Sequence, residues 1–336
     1  MKPVLGILLG EATGIGPELI AKLCAGDKLF PYCRPILIGD LRVLKMGQKI
    51  AGVDFPVRVI EDASGASWDG PFPILDLKNL DPDTVQLGRM DPVSGKITGD
   101  TLVTALNLCG KGVIAGFMYG PLHKAAIQLG GYDFRDEQKL MAHYLNWNGP
   151  CGEINVVDNL WTSRVTSHIP INSISGQLSM EKTLDAIRLI NKTVHLSGVE
   201  TPRVAVAGLN PHNGEEGLCG REEIDVIAPA VEKARAEGIK ALGPYSADTI
   251  FINAFKGEYD AVVTMYHDQG QIAIKLMKFQ YGVTVGGGLP YAITTPAHGT
   301  AFDIAGKGIA DPTASERALM IAAKMAGWRG QEGKSG

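Results

Sequence analysis

The chain has no long hydrophobic run, no Cys-x-x-Cys pair, no excess of basic residues and no fixed-period repeat. Each absence excludes something. The N-terminal apolar stretch, Val4–Leu9, is too short for the core of a signal peptide and far too short to cross a bilayer, and no later stretch does better. The five cysteines, Cys24, Cys33, Cys109, Cys151 and Cys219, are odd in number and unpatterned. That set reads as reduced thiols in a cytoplasmic protein, not as a disulfide framework. Lys and Arg number 32 against 36 Asp and Glu, a formal charge of -4, so a broad nucleic-acid footprint is excluded. Neither a nucleic acid nor a membrane is an expected partner.

The chain has 336 residues, more than one ordinary core accommodates, with an apolar share of 45% and a charged share of 20%. Those values predict a globular protein of two lobes. Short apolar runs alternate with longer amphipathic segments, the pattern of an α/β fold. Strands are predicted at Val4–Leu9, Pro35–Ile38, Val57–Ile60, Phe72–Leu75, Gly112–Met118, Ile154–Val157, Arg164–Thr166, Val204–Ala207 and Ala261–Met265. Helices are predicted at Glu18–Cys24, Asp100–Cys109, Glu137–Asn146, Met180–His195 and Arg221–Glu237. The segment 62–96 is rich in Pro, Gly and Asp and reads largely as loop.

Open α/β sheets bind ligands outside the carboxyl ends of their strands. Of the seven histidines, His123, His168, His212 and His267 stand a few residues after predicted strands. Three have neighbours suited to a site: His168 in Thr-Ser-His-Ile-Pro, His212 in Gly-Leu-Asn-Pro-His-Asn-Gly and His267 in Met-Tyr-His-Asp-Gln-Gly. Three imidazoles suit a divalent metal that keeps a position open for substrate. Asn210, Asp268 and Gln269 are candidates for orienting the rings. Lys124, in Gly-Pro-Leu-His-Lys, suits an anionic group or a carbonyl oxygen, and Asp248 sits where a helix N-cap is expected. Gly10–Gly16 (GEATGIG) is not the GxGxxG fingerprint, so a Rossmann site is not indicated.

The motifs GIGPE, GPLHK, GLNPHNGEEG and MYHDQG together resemble the 4-hydroxythreonine-4-phosphate dehydrogenase family of vitamin B6 synthesis, from about residue 4 to about residue 325. His298–Pro312 (HGTAFDIAGKGIADP) is similar to the cofactor loop of isopropylmalate dehydrogenases. The resemblance implies a two-lobed α/β/α subunit of the isocitrate/isopropylmalate dehydrogenase kind, with its active site between the lobes. It places 1–130 with about 280–336 in one lobe and about 131–280 in the other. It implies a homodimer and a divalent metal (zinc first, then magnesium, manganese or cobalt) on His168, His212 and His267, one of them from the neighbouring chain. It implies NAD along Thr284–Pro312, with Thr284, Gly286, Gly287 and His298 against the cofactor and Asp303 on the adenosine ribose. Lys124, Asp248 and Lys275 become candidates for proton transfer and carboxylate binding. The implied reaction oxidises a secondary alcohol to a β-keto acid, which then loses carbon dioxide.

Where the family carries Gly-His-Thr-Glu against its substrate, this chain reads Arg135-Asp136-Glu137-Gln138. An asparagine and an arginine near the substrate phosphate are matched by Thr284 and Ile293, and an isoleucine cannot replace an arginine–phosphate pair. Asp136, Glu137, Lys275, Thr284 and Ile293 are thus the expected substrate contacts, and the two carboxylates would repel a phosphate. The opening Gly-Asp-Pro-Ala-Gly of the family is Gly-Glu-Ala-Thr-Gly here. The first expectation is a retained metal and cofactor with an altered, unphosphorylated substrate, such as a sugar acid or a cis-dihydrodiol carboxylate. Gln271–Leu276 is similar to the branch that oxidises the terephthalate dihydrodiol. The second is a phosphorylated four-carbon acid, its phosphate held by Arg135 or Lys139. The third is a silent ligand-binding protein.

Overall fold

The computed structural model describes residues 2–134, 136–278 and 281–327. The strands, in chain order, are β1 Val4–Leu8, β2 Arg34–Gly39, β3 Val57–Ile60, β4 Phe72–Asp76, β5 Gly116–Tyr119, β6 Gly152–Val157, β7 Leu160–Arg164, β8 Val204–Ala207, β9 Ala241–Tyr245, β10 Ala261–Thr264, β11 Val283–Gly287 and β12 Ala292–Pro296. The helices are α1 Gly16–Ala25, α2 Leu41–Ala51, α3 Pro92–Gly110, α4 Lys124–Leu129, α5 Glu137–Tyr144, α6 Ile174–Gln177, α7 Met180–Leu196, α8 Ala228–Ala236, α9 Ala247–Phe255, α10 His267–Lys278 and α11 Thr313–Met325.

The chain divides into two compact units, Met1–Gly149 with Val283–Gly336, and Pro150–Gly282. Residues 131–149 therefore belong with the first unit, not with the second as the resemblance implied. In the first unit the strands run in the order β3-β4-β2-β1-β5-β12-β11, parallel except where β11 meets β12. Leu5, Ile7, Ile36, Ile38 and Phe117 are fully buried, each worth about 1.5–3 kcal/mol of burial. In the second unit the order is β6-β7-β10-β8-β9, antiparallel only between β6 and β7. Its core includes Val157, Leu160, Ala205, Ile250, Phe251, Val262 and Ile274.

Local sequence explains the helix starts. Asp40 caps α2 by accepting from Arg42 N, and Gly52 ends it in the left-handed conformation. Asp91 caps α3 through Val93 N and Ser94 N, with Pro92 in the first turn. The expected helix Asp100–Cys109 is only the latter part of α3. Its first turns hold Gly95 and Gly99, which weaken a helix signal, yet a Cβ on Gly95 would lie 2.1 Å from the Ala126 backbone. Tertiary approach of α4 selects glycine there over propensity. The expected Arg221–Glu237 helix resolves into a π turn, Glu223–Ile227, followed by α8.

The loop after β1 carries a fully buried acid. Glu11 accepts from Thr13 Oγ1 at 3.2 Å and from Ser94 Oγ, while its Oε2 has no partner. Burial raises its pKa above the usual glutamate value, opposed by those two hydroxyls. The folded state therefore holds this proton more tightly than the unfolded chain does. Stability from Glu11 is complete below the unfolded pKa and is lost as pH rises through the raised folded one. Glu11→Gln keeps the shape without the charge. Urea unfolding of both proteins across acid to neutral pH should show the variant's relative stability increasing with pH; a constant difference would contradict the assignment.

Candidate active site

The three histidine loops of the second unit leave neighbouring parallel strands. Their order is β7-β10-β8, so His168, His267 and His212 all emerge at one carboxyl edge. Side chains stitch these strand ends together. Thr166 donates its N–H and its hydroxyl to Met265 O, at 3.1 and 2.7 Å, which joins the end of β7 to that of β10. The Gln269 carboxamide accepts from Met265 N at 2.7 Å and donates to Gly208 O at 2.8 Å, which joins β10 to β8.

The result is a close pair and a separate third ring. The rings of His168 and His267 lie 5.5 Å apart between centroids. They line a cavity of about 170 Å³ with Thr166, Ser167, Tyr266 and Asp268. Asp268 Oδ1 lies 2.7 Å from His267 Nδ1. A proton on Nδ1 donated to that carboxylate leaves Nε2 with its lone pair outward, the arrangement metal-binding histidines use. His212 is exposed, and its ring makes no hydrogen bond among the described residues. No group of three possible ligands is closed among the described residues, so one chain does not assemble the expected triad. The pair and its aspartate fit a divalent cation that takes a further ligand from elsewhere.

His212 opens a run of left-handed backbone, with φ of 52, 59, 82, 43 and 55° from His212 to Glu216. Non-glycine residues lose roughly 1–2 kcal/mol each in that conformation. Asn210 and Gln269, expected to orient the rings, bond backbone and carboxylates instead, so they place the loops and not the tautomers.

In the first unit, β1, β5 and β12 are parallel and likewise share a carboxyl edge. The loop after β12 holds the expected cofactor residues and is pinned by the α1 region. Ile15 N donates to Thr300 O at 3.1 Å, Ala310 N to Glu18 Oε1 at 2.7 Å, and Lys22 Nζ to the carbonyls of Gly308 and Ala310. His123 caps α4 and stacks on Phe302 at 5.2 Å. The next residue, Asp303, is exposed, with no hydrogen bond or ion pair among the described residues. An uncommitted carboxylate on a braced loop fits the diol of a ribose. Burial depresses the pKa of His298, opposed by the contact of its Nδ1 with Gly299 O at 3.2 Å. Gly286 and Gly287 are buried in β11, and Thr284 is half-buried there.

Other expected contacts stand differently. Ile293 is 1% exposed in the core, opposite Phe117 in register, so it touches no substrate. All of β12 is buried, and the match to the family's arginine by position does not carry a shared role. Asp136 is the N-cap of α5, accepting from Lys139 N at 2.9 Å. Glu137 pairs with Lys124 Nζ at 3.2 Å. Neither carboxylate is a bare repulsive charge. Asp248 is exposed in the first turn of α9, where Ser246 and not Asp248 is the N-cap. Lys275 is exposed on α10, a little over two turns beyond His267. Arg135 lies outside the described residues.

The sequence profile described as pyridoxal phosphate biosynthetic protein PdxA matches residues 31–322. The chain belongs to this family. A Pseudomonas aeruginosa relative, provisionally named 4-hydroxythreonine-4-phosphate dehydrogenase 2, is 48% identical over 96% of this chain and 97% of its own. A Clostridium botulinum relative, provisionally named D-threonate 4-phosphate dehydrogenase, is 32% identical over 96% and 97%. The crystal structure of a Burkholderia phymatum 4-hydroxythreonine-4-phosphate dehydrogenase superposes with TM-score 0.82 at 35% identity, covering 97% of this chain and 98% of that one. A terephthalate 1,2-cis-dihydrodiol dehydrogenase from Burkholderia xenovorans is more distant, with TM-score 0.67 at 26% identity over 95% and 98%. PdxA relatives are thus dehydrogenases, and the α/β and oxidoreductase expectations stand. The unphosphorylated-substrate expectation gains no support, because the nearer relatives are named for phosphorylated acids. No helix among the described residues is long and apolar enough to cross a membrane.

If Asp268 orients His267 toward a metal, Asp268→Asn should weaken zinc affinity about 10–100-fold with little change in melting temperature. Zinc titration of the metal-stripped protein measures this; unchanged affinity would remove Asp268 from the site.

Proposed function

We propose that this PdxA-family chain is an NAD- and divalent-metal-dependent dehydrogenase of a phosphorylated four-carbon hydroxy acid, such as 4-hydroxythreonine 4-phosphate or threonate 4-phosphate. The observation that carries the reading is the His168–His267 pair with Asp268 behind it, at the carboxyl edge that also emits His212. A bound divalent cation (zinc first) supplies a Lewis acid that acidifies the substrate hydroxyl, and a bound nicotinamide supplies the hydride acceptor. The chain's residues do the rest. Asp268 accepts from His267 Nδ1–H and so orients the ring with Nε2 toward the cation. Asp303 accepts ribose hydroxyls, and its charge opposes a 2′-phosphate, which selects NAD over NADP.

Lys124, held by Glu137 at the start of α4, receives a substrate carboxylate or phosphate oxygen. Lys275 and Asp248 are the proposed proton-transfer groups, and Lys139 the exposed cation for the phosphate. The ketone formed lies β to a carboxylate, so carbon dioxide leaves next. A second copy of the chain supplies the imidazole that one chain lacks. The outer face of α10, with Ile272, Leu276 (81% exposed) and Met277, is an apolar surface beside His267 that such a copy would cover. The five free cysteines agree with a cytoplasmic setting.

The test is NADH appearance with threonate 4-phosphate, 4-hydroxythreonine 4-phosphate and their unphosphorylated forms. Turnover of a phosphorylated acid alone, abolished by a chelator and restored by zinc, is expected. Turnover of only an unphosphorylated acid or a cis-dihydrodiol would reverse the substrate assignment.

A further inference from the structure

His212 lies in backbone that its own residues disfavour, so another group must hold it. Two carboxylates meet at the entry to it: Glu222 Oε2 accepts from Asn210 Nδ2 at 2.7 Å, and Glu223 takes that amide and the backbone N–H groups as well. Glu223 is 3% exposed, and its Oε1 accepts the N–H groups of Leu209 and Asn210, both at 2.7 Å. Its Oε2 accepts from Asn210 Nδ2 at 2.9 Å. Those donors sit immediately before the left-handed run that His212 opens. Two glycines make room for the group: a Cβ on Gly208 would come within 3.0 Å of Oε1, and one on Gly214 within 2.7 Å of Oε2. Glu223 also begins the π turn before α8, a wide turn often found where a side chain is aimed. No cation pairs with it among the described residues, so its bonds all go to this loop.

We propose that Glu223 is the positioning residue for His212: it clamps the entry to the left-handed run and thereby presents that imidazole to the metal. The inference rests on the metal reading above and extends it to a residue outside the histidine motifs. An ordinary helix–loop tie would affect melting alone; a positioning residue also changes how the metal is held.

The experiment uses the full chain, stripped of metal and titrated with zinc alone, with cobalt(II) visible spectra as a second readout. Glu223→Gln should bind zinc at least tenfold more weakly and give an altered cobalt spectrum. Adding Glu215→Gly and Glu216→Gly to it should recover part of the affinity, because glycine adopts positive φ freely. Glu223→Asp, which keeps the charge but withdraws it by one methylene, should also weaken binding and serves if Glu223→Gln does not fold. Wild-type zinc affinity and cobalt spectrum in a folded Glu223 variant would overturn the proposal, as would a double-glycine chain with no recovery. His212→Ala separates the two layers: if it binds zinc as the wild type does, the metal reading itself falls and the proposal with it.

Discussion

The candidate metal site depends on one carboxamide. Gln269 accepts from the backbone at the end of β10 and donates to the backbone at the end of β8. Both bonds are satisfied in a partly buried setting, where leaving either group unpaired would cost about 1–3 kcal/mol. The amide therefore sets the spacing between the loop that carries His267 and the loop that carries His212. Thr166 does the same between β7 and β10, and it brings His168 beside His267. His168 and His267 come together because the ends of β7 and β10 are sewn together.

That logic explains what could be read without coordinates. Histidines just beyond short apolar runs were legible, because the carboxyl edge of a parallel sheet is where polar side chains gather. Strands β1, β8 and β10 were legible as continuous apolar segments buried on both faces. β11 and β12 were not, since Val283–Gly287 ends in glycines and reads as a turn. Helix α10 was hidden too, because it opens with the polar run His267–Gln271, which gives no apolar periodicity to read. Glu223 carried no local signal: its role appears only once Leu209 and Asn210 are placed across the loop from it.

The substrate side was the least legible, for a reason of charge. Asp136 and Glu137 read as two anions added near an anionic substrate, which argued against a phosphate. In the fold, one is spent on a helix cap and the other on Lys124. Neither commitment can be read from the sequence, because capping depends on backbone angles and the ion pair spans two helices. Ile293 misled in the opposite direction. The position matches an arginine in the family, yet in β12 its side chain is packed into the core. Relatives named for phosphorylated acids agree with the recovered charge balance better than with the bare count of carboxylates.

The central claim is that imidazoles from the ends of β7, β10 and β8 share one divalent cation. Its most direct test is a crystal structure of the zinc-soaked protein, with the metal located by anomalous scattering. The account predicts a peak about 2.0–2.1 Å from ring nitrogens of His168, His212 and His267, one of them from a second copy. Crystals with no peak there, or with zinc bound and His168 and His267 turned away from it, would contradict it.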